Sequence, residues 1–217
     1  SVVNDLLDVS RLKAGRYELS HSRFELDSVV DATLNMLQPS ADAGGVSITK
    51  RISKKLPEIY ADRRSCQQIL INIVSNAIKF TPSGGRVSVD LRAGNETIEM
   101  TVTDTGIGIA EEFLPLIGQP FVQAEMTTSR RYEGSGLGLS VVKGLVELHE
   151  GKFAISSEVS TGTEVVISLP LKPKSAKPVP SGDHEHLVHL SSHKTAPAVE
   201  DEYHRVSEGE YRARVSA

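Results

Sequence analysis

Two glycine-rich runs and one set of polar residues have the types and spacing that could do chemistry. Residues 104–109 read Asp-Thr-Gly-Ile-Gly-Ile, and residues 134–138 read Gly-Ser-Gly-Leu-Gly. Upstream, Asn72, Asn76 and Lys79 are spaced by four and three residues, which places them on adjacent turns of one helix face. An acid suits the hydrogen-bonding edge of a purine, and amides with a cation suit phosphates. Together these residues predict a nucleotide pocket.

Each of these motifs also has a simpler interpretation. An Asn on a helix usually faces water, and an Asp-Thr-Gly run can be a turn that ends a strand. Solvated helix faces favour Glu, Lys and Arg, however, whereas paired Asn residues are poor helix formers, which favours a functional role for Asn72 and Asn76. The second run is neither a dinucleotide fingerprint, because no strand directly precedes it, nor a P-loop, because no Gly-Lys-Ser/Thr follows.

The composition is that of an ordinary globular protein. The chain has 217 residues, 39% of them apolar and 24% charged, with a formal net charge of −4, so nothing indicates a nucleic-acid surface. The single cysteine, Cys66, excludes an internal disulfide and indicates a reducing compartment. No apolar run approaches the roughly 20 residues that cross a bilayer. The chain begins in mid-pattern without a methionine, so we expect a fragment of a longer protein.

Hydrophobic periodicity predicts the elements that must position the pocket. Asp62 is a candidate N-cap for the helix that carries the polar face, and the Gly-rich run at 134–138 opens another helix, where free N–H groups suit phosphate. Residues 110–131 have a weak pattern with one short helix near 111–117, as in a lid. We predict helices at residues 1–14, 26–43, 63–79 and 139–149, and strands at 46–49, 58–60, 86–93, 97–103, 153–157 and 163–169.

The two ends of the chain differ from its middle. The apolar stripe over residues 1–14 is too wide for a lone surface helix and favours a helix bundle; the alternative is a helix docked on its own domain. Residues 172–217 hold four prolines and five of the seven histidines, and they predict a disordered tail. Metal binding there is the less favoured interpretation, because the spacing of its histidines matches no defined site.

Four segments in this order resemble the N, G1, F and G2 boxes of bacterial sensor histidine kinases, whose catalytic domain belongs to the HATPase or GHKL class. They are residues 72–81 (Asn-Ile-Val-Ser-Asn-Ala-Ile-Lys-Phe-Thr), 104–108, Pro120-Phe121 and 134–140. Residues 4–15 look like the end of the second helix of the dimerisation domain. The runs at 61–69 and 117–123 resemble most closely the DivJ and PleC kinases of alphaproteobacterial cell-cycle control.

The resemblance implies an α+β fold: a two-layer α/β sandwich of the Bergerat ATP-binding type. A mixed sheet would carry helices on one face, preceded by a remnant of a dimerisation helix. The implied domains are the end of that helix at 1–15, a connector at 16–25, the catalytic ATP-binding domain at 26–171 and the tail at 172–217.

The resemblance also implies roles for individual residues, with ATP and Mg²⁺ as cofactors. Asn76 would ligate Mg²⁺ with help from Asn72, Lys79 would contact phosphate oxygens, and Asp104 would accept a hydrogen bond from the adenine amino group, directly and through a water shared with Thr163. Arg130 or Arg131 would reach the γ-phosphate. The loops would contribute Gly106, Gly108, Ile109, Gly134, Gly136, Leu137 and Gly138.

Two features of the sequence define what this chain lacks. Related ATPases carry a Glu as general base four residues before the invariant Asn, whereas this chain has Asn72 there, so we predict slow ATP hydrolysis. The His-Glu-Leu-Arg-Thr-Pro-like motif of the phosphate acceptor is absent, and His21 lies in the connector, so the chain as given should not autophosphorylate.

The resemblance implies partners as well. They are a dimerisation and phosphotransfer domain of the same protein, a homodimer of the parent protein, and a response-regulator receiver domain, with a DivK-like protein as the candidate; no nucleic acid is expected. The domain would be cytoplasmic and its parent anchored in the inner membrane. The alternatives are a degenerate nucleotide-binding module that regulates another kinase and a stand-alone ATPase or anti-sigma-type kinase of the same fold.

Overall fold

A computed structural model describes residues 2–52, 56–122 and 135–173, all within one unit, Ser1–Lys177. The helices are α1 (Val2–Lys13), α2 (Leu26–Gly44), α3 (Arg63–Phe80) and α4 (Gly138–Leu148), with a 3-10 helix at Glu111–Leu116. The strands are β1 (His21–Phe24), β2 (Ser47–Ile52), β3 (Ile59–Asp62), β4 (Arg86–Ala93), β5 (Thr97–Asp104), β6 (Lys152–Glu158) and β7 (Gly162–Pro170).

Five strands form a mixed sheet in the order β2-β4-β5-β7-β6. The pair β2–β4 is parallel, and the other pairs are antiparallel. A separate two-stranded sheet joins β1 to β3, with His21 opposite Asp62. The fold is therefore the predicted α+β arrangement with a mixed sheet.

Alternation along the central strands decides which face of the sheet is covered. In β5 the buried side chains are those of Ile98, Met100, Val102 and Asp104, and in β4 Val87, Val89 and Leu91 are fully buried. These apolar side chains pack with α2, α3 and α4 in one hydrophobic core, while charged side chains such as Asp90 and Arg92 lie on the other face. One face of each strand is thus apolar and covered by helices, as period-two patterning requires.

Local signals set the ends of the helices. Asp62 caps α3, because its Oδ1 accepts hydrogen bonds from the backbone N–H groups of Arg64 at 2.9 Å and Ser65 at 3.1 Å. Gly45, with φ 66°, ends α2 in the left-handed conformation that glycine adopts without strain. Asp62 is the N-cap that the sequence predicts, and α2 ends one residue beyond the predicted boundary at residue 43.

The N-terminal helix α1 packs on α4 at a glycine. A Cβ at Gly144 would lie 2.9 Å from Cδ1 of Leu12, so the absence of a side chain makes room for this leucine. Val9 is buried, but Leu6 and Leu7 remain about half exposed, at 48% and 50%. The domain therefore covers only part of the apolar stripe, and its packing in a helix bundle stays a prediction.

A buried histidine joins the end of α4 to the start of α3. The Nε2 atom of His149 accepts the backbone N–H of Asp62 at 3.1 Å, and Nδ1 lies 2.7 Å from the carbonyl oxygen of Leu145. Nδ1 must therefore carry the proton, and the ring is neutral. Burial lowers the pKa of His149, and His21, stacked 5.4 Å from Tyr60, adds to this effect.

The short helix predicted near residues 111–117 is a 3-10 helix in the structure. The predicted tail from residue 174 onward and the last nine residues of the predicted lid, 123–131, lie outside the described residues. Among the helices that the structure describes, none is long and apolar enough to cross a membrane.

Candidate functional site

Asp104 ends β5 with its carboxylate held by the main chain. Its Oδ1 accepts the backbone N–H of Gly106 at 2.8 Å and that of Thr163 at 3.2 Å. Within the described residues, Oδ2 accepts no hydrogen bond. One oxygen therefore fixes the orientation of the carboxylate, and the other remains an acceptor for a ligand.

Burial raises the pKa of Asp104, and the N–H groups of Gly106 and Thr163 partly offset this effect by stabilising the charged form. The side chain is 9% exposed, so water screens it little. A buried carboxylate with a raised pKa and one oxygen left without a hydrogen bond is typical of a ligand-binding site.

Glycines allow the backbone to approach this carboxylate. A Cβ at Gly106 would lie 2.6 Å both from Oδ1 of Asp104 and from the carbonyl oxygen of Phe80. A Cβ at Gly162, where φ is 130°, would collide with the carbonyl oxygen of Asp104, and one at Gly108, where φ is 70°, with that of Glu158. Gly106 is therefore required because of space, and Gly108 and Gly162 are required because of both space and backbone angle.

The first glycine loop is attached to the end of α3. The N–H of Ile107 donates to the carbonyl oxygen of Phe80 at 3.1 Å. Lys79, in the last turn of α3, lies 4.8 Å from the centre of the Phe80 ring. The helix that carries the amides thus ends next to the Asp104 loop.

The middle of α3 contacts the start of α4. Nδ2 of Asn72 donates to the carbonyl oxygen of Gly138 at 3.2 Å, and its Oδ1 accepts from Nε2 of Gln68 at 3.3 Å. Asn76, one turn later and half-buried, makes no hydrogen bond through its side chain among the described residues. Its amide oxygen is therefore available to a ligand, whereas both ends of the Asn72 amide are engaged.

The remaining predicted residues that the structure describes lie in the two glycine-rich loops. The N–H of Ile109 donates to Oγ of Ser157 at 2.8 Å. Gly136, with φ 67°, accepts the N–H of Phe121 at 3.1 Å, and Leu137 is buried directly before α4. Arg130, Arg131 and Gly134 lie outside the described residues.

Two polar residues that hold neighbouring segments together have no role in the sequence analysis. Ser157 bonds to both the Ile109 N–H and Thr163, and Lys143 of α4 donates to the carbonyl oxygen of Ile117 at 2.6 Å. Period-two alternation in β6 could have placed Ser157 on the covered face, opposite Thr163. Nothing in the sequence indicates that Lys143 reaches a segment 26 positions away.

Comparison with known proteins identifies a matching family and several relatives. Residues 61–173 match the family described as histidine kinase-, DNA gyrase B- and HSP90-like ATPase. The chain is 49% identical over 170 residues to an uncharacterised sensor-like histidine kinase of Rhizobium meliloti (strain 1021), covering 78% of this chain and 32% of that protein. It is 39% identical over 170 residues to the histidine protein kinase DivJ of Caulobacter vibrioides, covering 78% of this chain and 28% of DivJ.

A solved structure extends the likeness to the fold. Full-length ShkA in complex with AMPPNP superposes with a TM-score of 0.70 at 32% identity, over 78% of this chain and 35% of ShkA. The chain thus spans about a third of the length of each of these relatives. The match over residues 61–173, the identity to these relatives and the shared fold show that the chain belongs to the histidine kinase-, DNA gyrase B- and HSP90-like ATPase family, with sensor histidine kinases as its relatives.

Proposed function

We propose that this chain is the ATP-binding catalytic domain of a two-component sensor histidine kinase. It binds Mg-ATP and transfers the γ-phosphoryl group to a histidine of a dimerisation domain, releasing ADP, for relay to an aspartate of a response regulator. The acceptor histidine lies outside this sequence. A DivK-like receiver is the candidate partner, because DivJ is among the relatives.

The observation that carries the proposal is the half-satisfied carboxylate of Asp104. With Oδ1 bonded to two backbone N–H groups, Oδ2 is an oriented acceptor at the end of the central strand. The amino group of adenine is a donor of matching polarity, whereas a carbonyl at that place would repel the carboxylate. Hydrogen bonds to a charged acceptor are about twice as strong as neutral ones, so this contact can select adenine.

The phosphates would lie between α3 and the start of α4. Asn76 offers an amide oxygen, which is a ligand that Mg²⁺ accepts, and Asn72 supports Gly138 from the neighbouring turn. The described residues hold no cluster of three acidic, histidine or cysteine side chains that could cage a metal. One amide oxygen without such a cluster fits a Mg²⁺ ion that phosphate oxygens of ATP also bind. The ion would neutralise the charge of the phosphates, and Asn76 is the favoured protein ligand.

Water is a poor nucleophile in this site. An amide cannot abstract a proton, so Asn72 cannot act as the general base that hydrolytic relatives carry there. We therefore predict that ATP turnover by the chain alone is slow and that transfer to an added dimerisation domain is faster. Rapid steady-state hydrolysis, measured by phosphate release, would contradict this assignment of Asn72.

The test is calorimetric titration of the chain with AMPPNP, with and without Mg²⁺. In Asp104→Asn, the amide oxygen must face the two N–H groups, so the NH₂ group meets the donor edge of adenine. Losing a charge-assisted bond worth about 1.5–3 kcal/mol should weaken binding roughly tenfold to a hundredfold. Asn76→Asp should change the Mg²⁺ dependence more than adenine binding.

Asp90→Asn is the matched control. It makes the same chemical change on the open face of the sheet, where Asp90 pairs with Arg51 at 3.1 Å, and AMPPNP affinity should stay unchanged. AMPPNP binding that is strengthened by Mg²⁺ and weakened in Asp104→Asn but not in Asp90→Asn supports the proposal. A wild-type chain that does not bind AMPPNP would refute it and favour a regulatory module without nucleotide.

A further inference from the structure

A row of polar side chains ends the covered face of three neighbouring strands. Asp104 of β5 pairs with Thr163 of β7, and Thr163 pairs with Ser157 of β6. Two residues further along β5 and β7, on the same face of the sheet, lies the buried pair Val102 and Val165. The apolar core therefore stops at this row, and three side chains with hydrogen-bonding atoms face the side where the carboxylate of Asp104 lies.

The hydroxyl of Ser157 has three partners at equal distance. Its Oγ lies 2.8 Å from the N–H of Ile109, 2.8 Å from the carbonyl oxygen of Gly162 and 2.8 Å from Oγ1 of Thr163. A hydroxyl has one proton to donate and two lone pairs to accept with. The Ile109 N–H must donate to it and the Gly162 carbonyl must accept from it, so its only proton is used.

This count fixes the polarity of the third contact. Because Ser157 has given its proton to Gly162, the 2.8 Å contact with Thr163 is a hydrogen bond only if Thr163 donates. The proton of Thr163 then points toward Ser157, and its remaining lone pairs are acceptors. The backbone N–H of Thr163 is also engaged, with Oδ1 of Asp104 at 3.2 Å.

We propose that Ser157 is a positioning residue that holds the Thr163 hydroxyl as an acceptor beside Asp104 and so helps the site to select adenine over bases with a carbonyl at the same place. The inference rests on the proposed function, since it assumes that the base lies at Asp104. Oδ2 of Asp104 and Oγ1 of Thr163 then both act only as hydrogen-bond acceptors toward the base. Two acceptors attract the amino group of adenine and repel the carbonyl oxygen of hypoxanthine.

Removing Ser157 should change selectivity as well as affinity. In Ser157→Ala the Thr163 proton loses its acceptor, and the hydroxyl can turn to donate to a carbonyl. ATP should then bind more weakly, while ITP loses less or gains. Because the Thr163 hydroxyl can now donate to the base instead of only accepting from it, the ratio of the ITP dissociation constant to the ATP dissociation constant should fall about threefold to tenfold.

The experiment measures displacement of a fluorescent ATP analogue from the 217-residue chain by ATP and by ITP, with Mg²⁺ present. Ser157→Thr keeps the hydroxyl and should keep the wild-type ratio. Ser156→Ala is the matched control, because Ser156 is the exposed neighbour on the opposite face of β6. In a Thr163→Val background, Ser157→Ala should cause no further change in the ratio, because the hydroxyl through which Ser157 acts is gone.

The outcomes separate this inference from the function on which it rests. A wild-type chain that binds neither nucleotide overturns both. A Ser157→Ala variant that weakens ATP and ITP by the same factor shows that Ser157 only supports the loop through Ile109, and it overturns the inference while leaving ATP binding intact. If Ser157→Ala does not fold, Thr163→Val alone must lower the ratio, and an unchanged ratio there is equally decisive against the inference.

Discussion

Replacing His149 with phenylalanine should destabilise the domain by an amount that depends on pH. The ring is 1% exposed, and phenylalanine fills a similar volume without either nitrogen. The carbonyl oxygen of Leu145 keeps a backbone partner, the N–H of residue 149 at 3.2 Å. The buried N–H of Asp62 is left without an acceptor, which costs about 1–3 kcal/mol. At pH 7.5 we expect His149→Phe to lower the free energy of unfolding by about 2 kcal/mol.

The pH dependence follows from the lowered pKa of His149. Burial is its largest cause; nearby His21 lowers the pKa further, while the Leu145 carbonyl and Asp62 raise it. Below the unfolded-state value near 6.5, the unfolded chain binds a proton that the folded chain does not. The contribution of the neutral ring is therefore complete above about pH 6.5 and is lost as pH falls toward the folded-state pKa, by up to about 1.4 kcal/mol per pH unit. The phenylalanine variant lacks this slope, so the stability difference should narrow in acid.

The assay is urea unfolding at pH 5.0 to 8.0, followed by circular dichroism because the chain has no tryptophan. His149→Gln removes the titrating group but keeps a donor and an acceptor, and it should also lack the slope. His189→Gln controls for the loss of one of the seven histidines and should retain it. Wild-type and His149→Phe curves that run parallel from pH 7.5 to 5.0 would refute the reasoning.

Two further predictions concern close packing. Gly162→Ala should lower stability by about 2 kcal/mol or more, because the new Cβ collides with the carbonyl oxygen of Asp104; Gly84→Ala, where φ is 87° and the space is open, should cost only about 1 kcal/mol. Leu12→Ala should lower stability by about 1–2 kcal/mol and speed amide exchange in α4, because it removes the side chain seated at Gly144. Urea unfolding measures the stability of each variant, and an equal loss of stability at Gly162 and Gly84 would contradict the first prediction. Amide hydrogen exchange measures the opening of α4, and an unchanged exchange rate in Leu12→Ala would contradict the second.

Local signals in the sequence were sufficient for most helices and strands. Asp62 begins α3 and Gly45 ends α2, each through a cap whose hydrogen bonds involve residues close in sequence. The strand order and the parallel pairing of β2 with β4 could not be read in this way. Period-two alternation states which face is buried but not which strand lies alongside, because pairing depends on contacts distant in sequence.

The same division holds for the candidate site. Asp104 could be predicted because a strand end followed by two glycines is a local pattern. The burial of His149 could not, because its partner, the N–H of Asp62, is 87 positions away. Ser157 was missed for the same reason, since its acceptor role depends on Ile109, 48 positions away. The roles of Arg130, Arg131 and Gly134 stay predictions.

The seating of Leu12 against Gly144 has a mechanical consequence. Gly144 and Gly138 belong to the same helix, six residues and therefore about 9 Å apart along its axis. An α-helix is stiff over so short a distance, so α4 moves as one rigid body, with the α1 contact near its middle and the Asn72 contact at its first residue. A shift or rotation of α1 that moves Leu12 would therefore move α4. Helix α4 thus couples the position of the N-terminal helix to that of the Gly138 carbonyl, which accepts a hydrogen bond from Asn72.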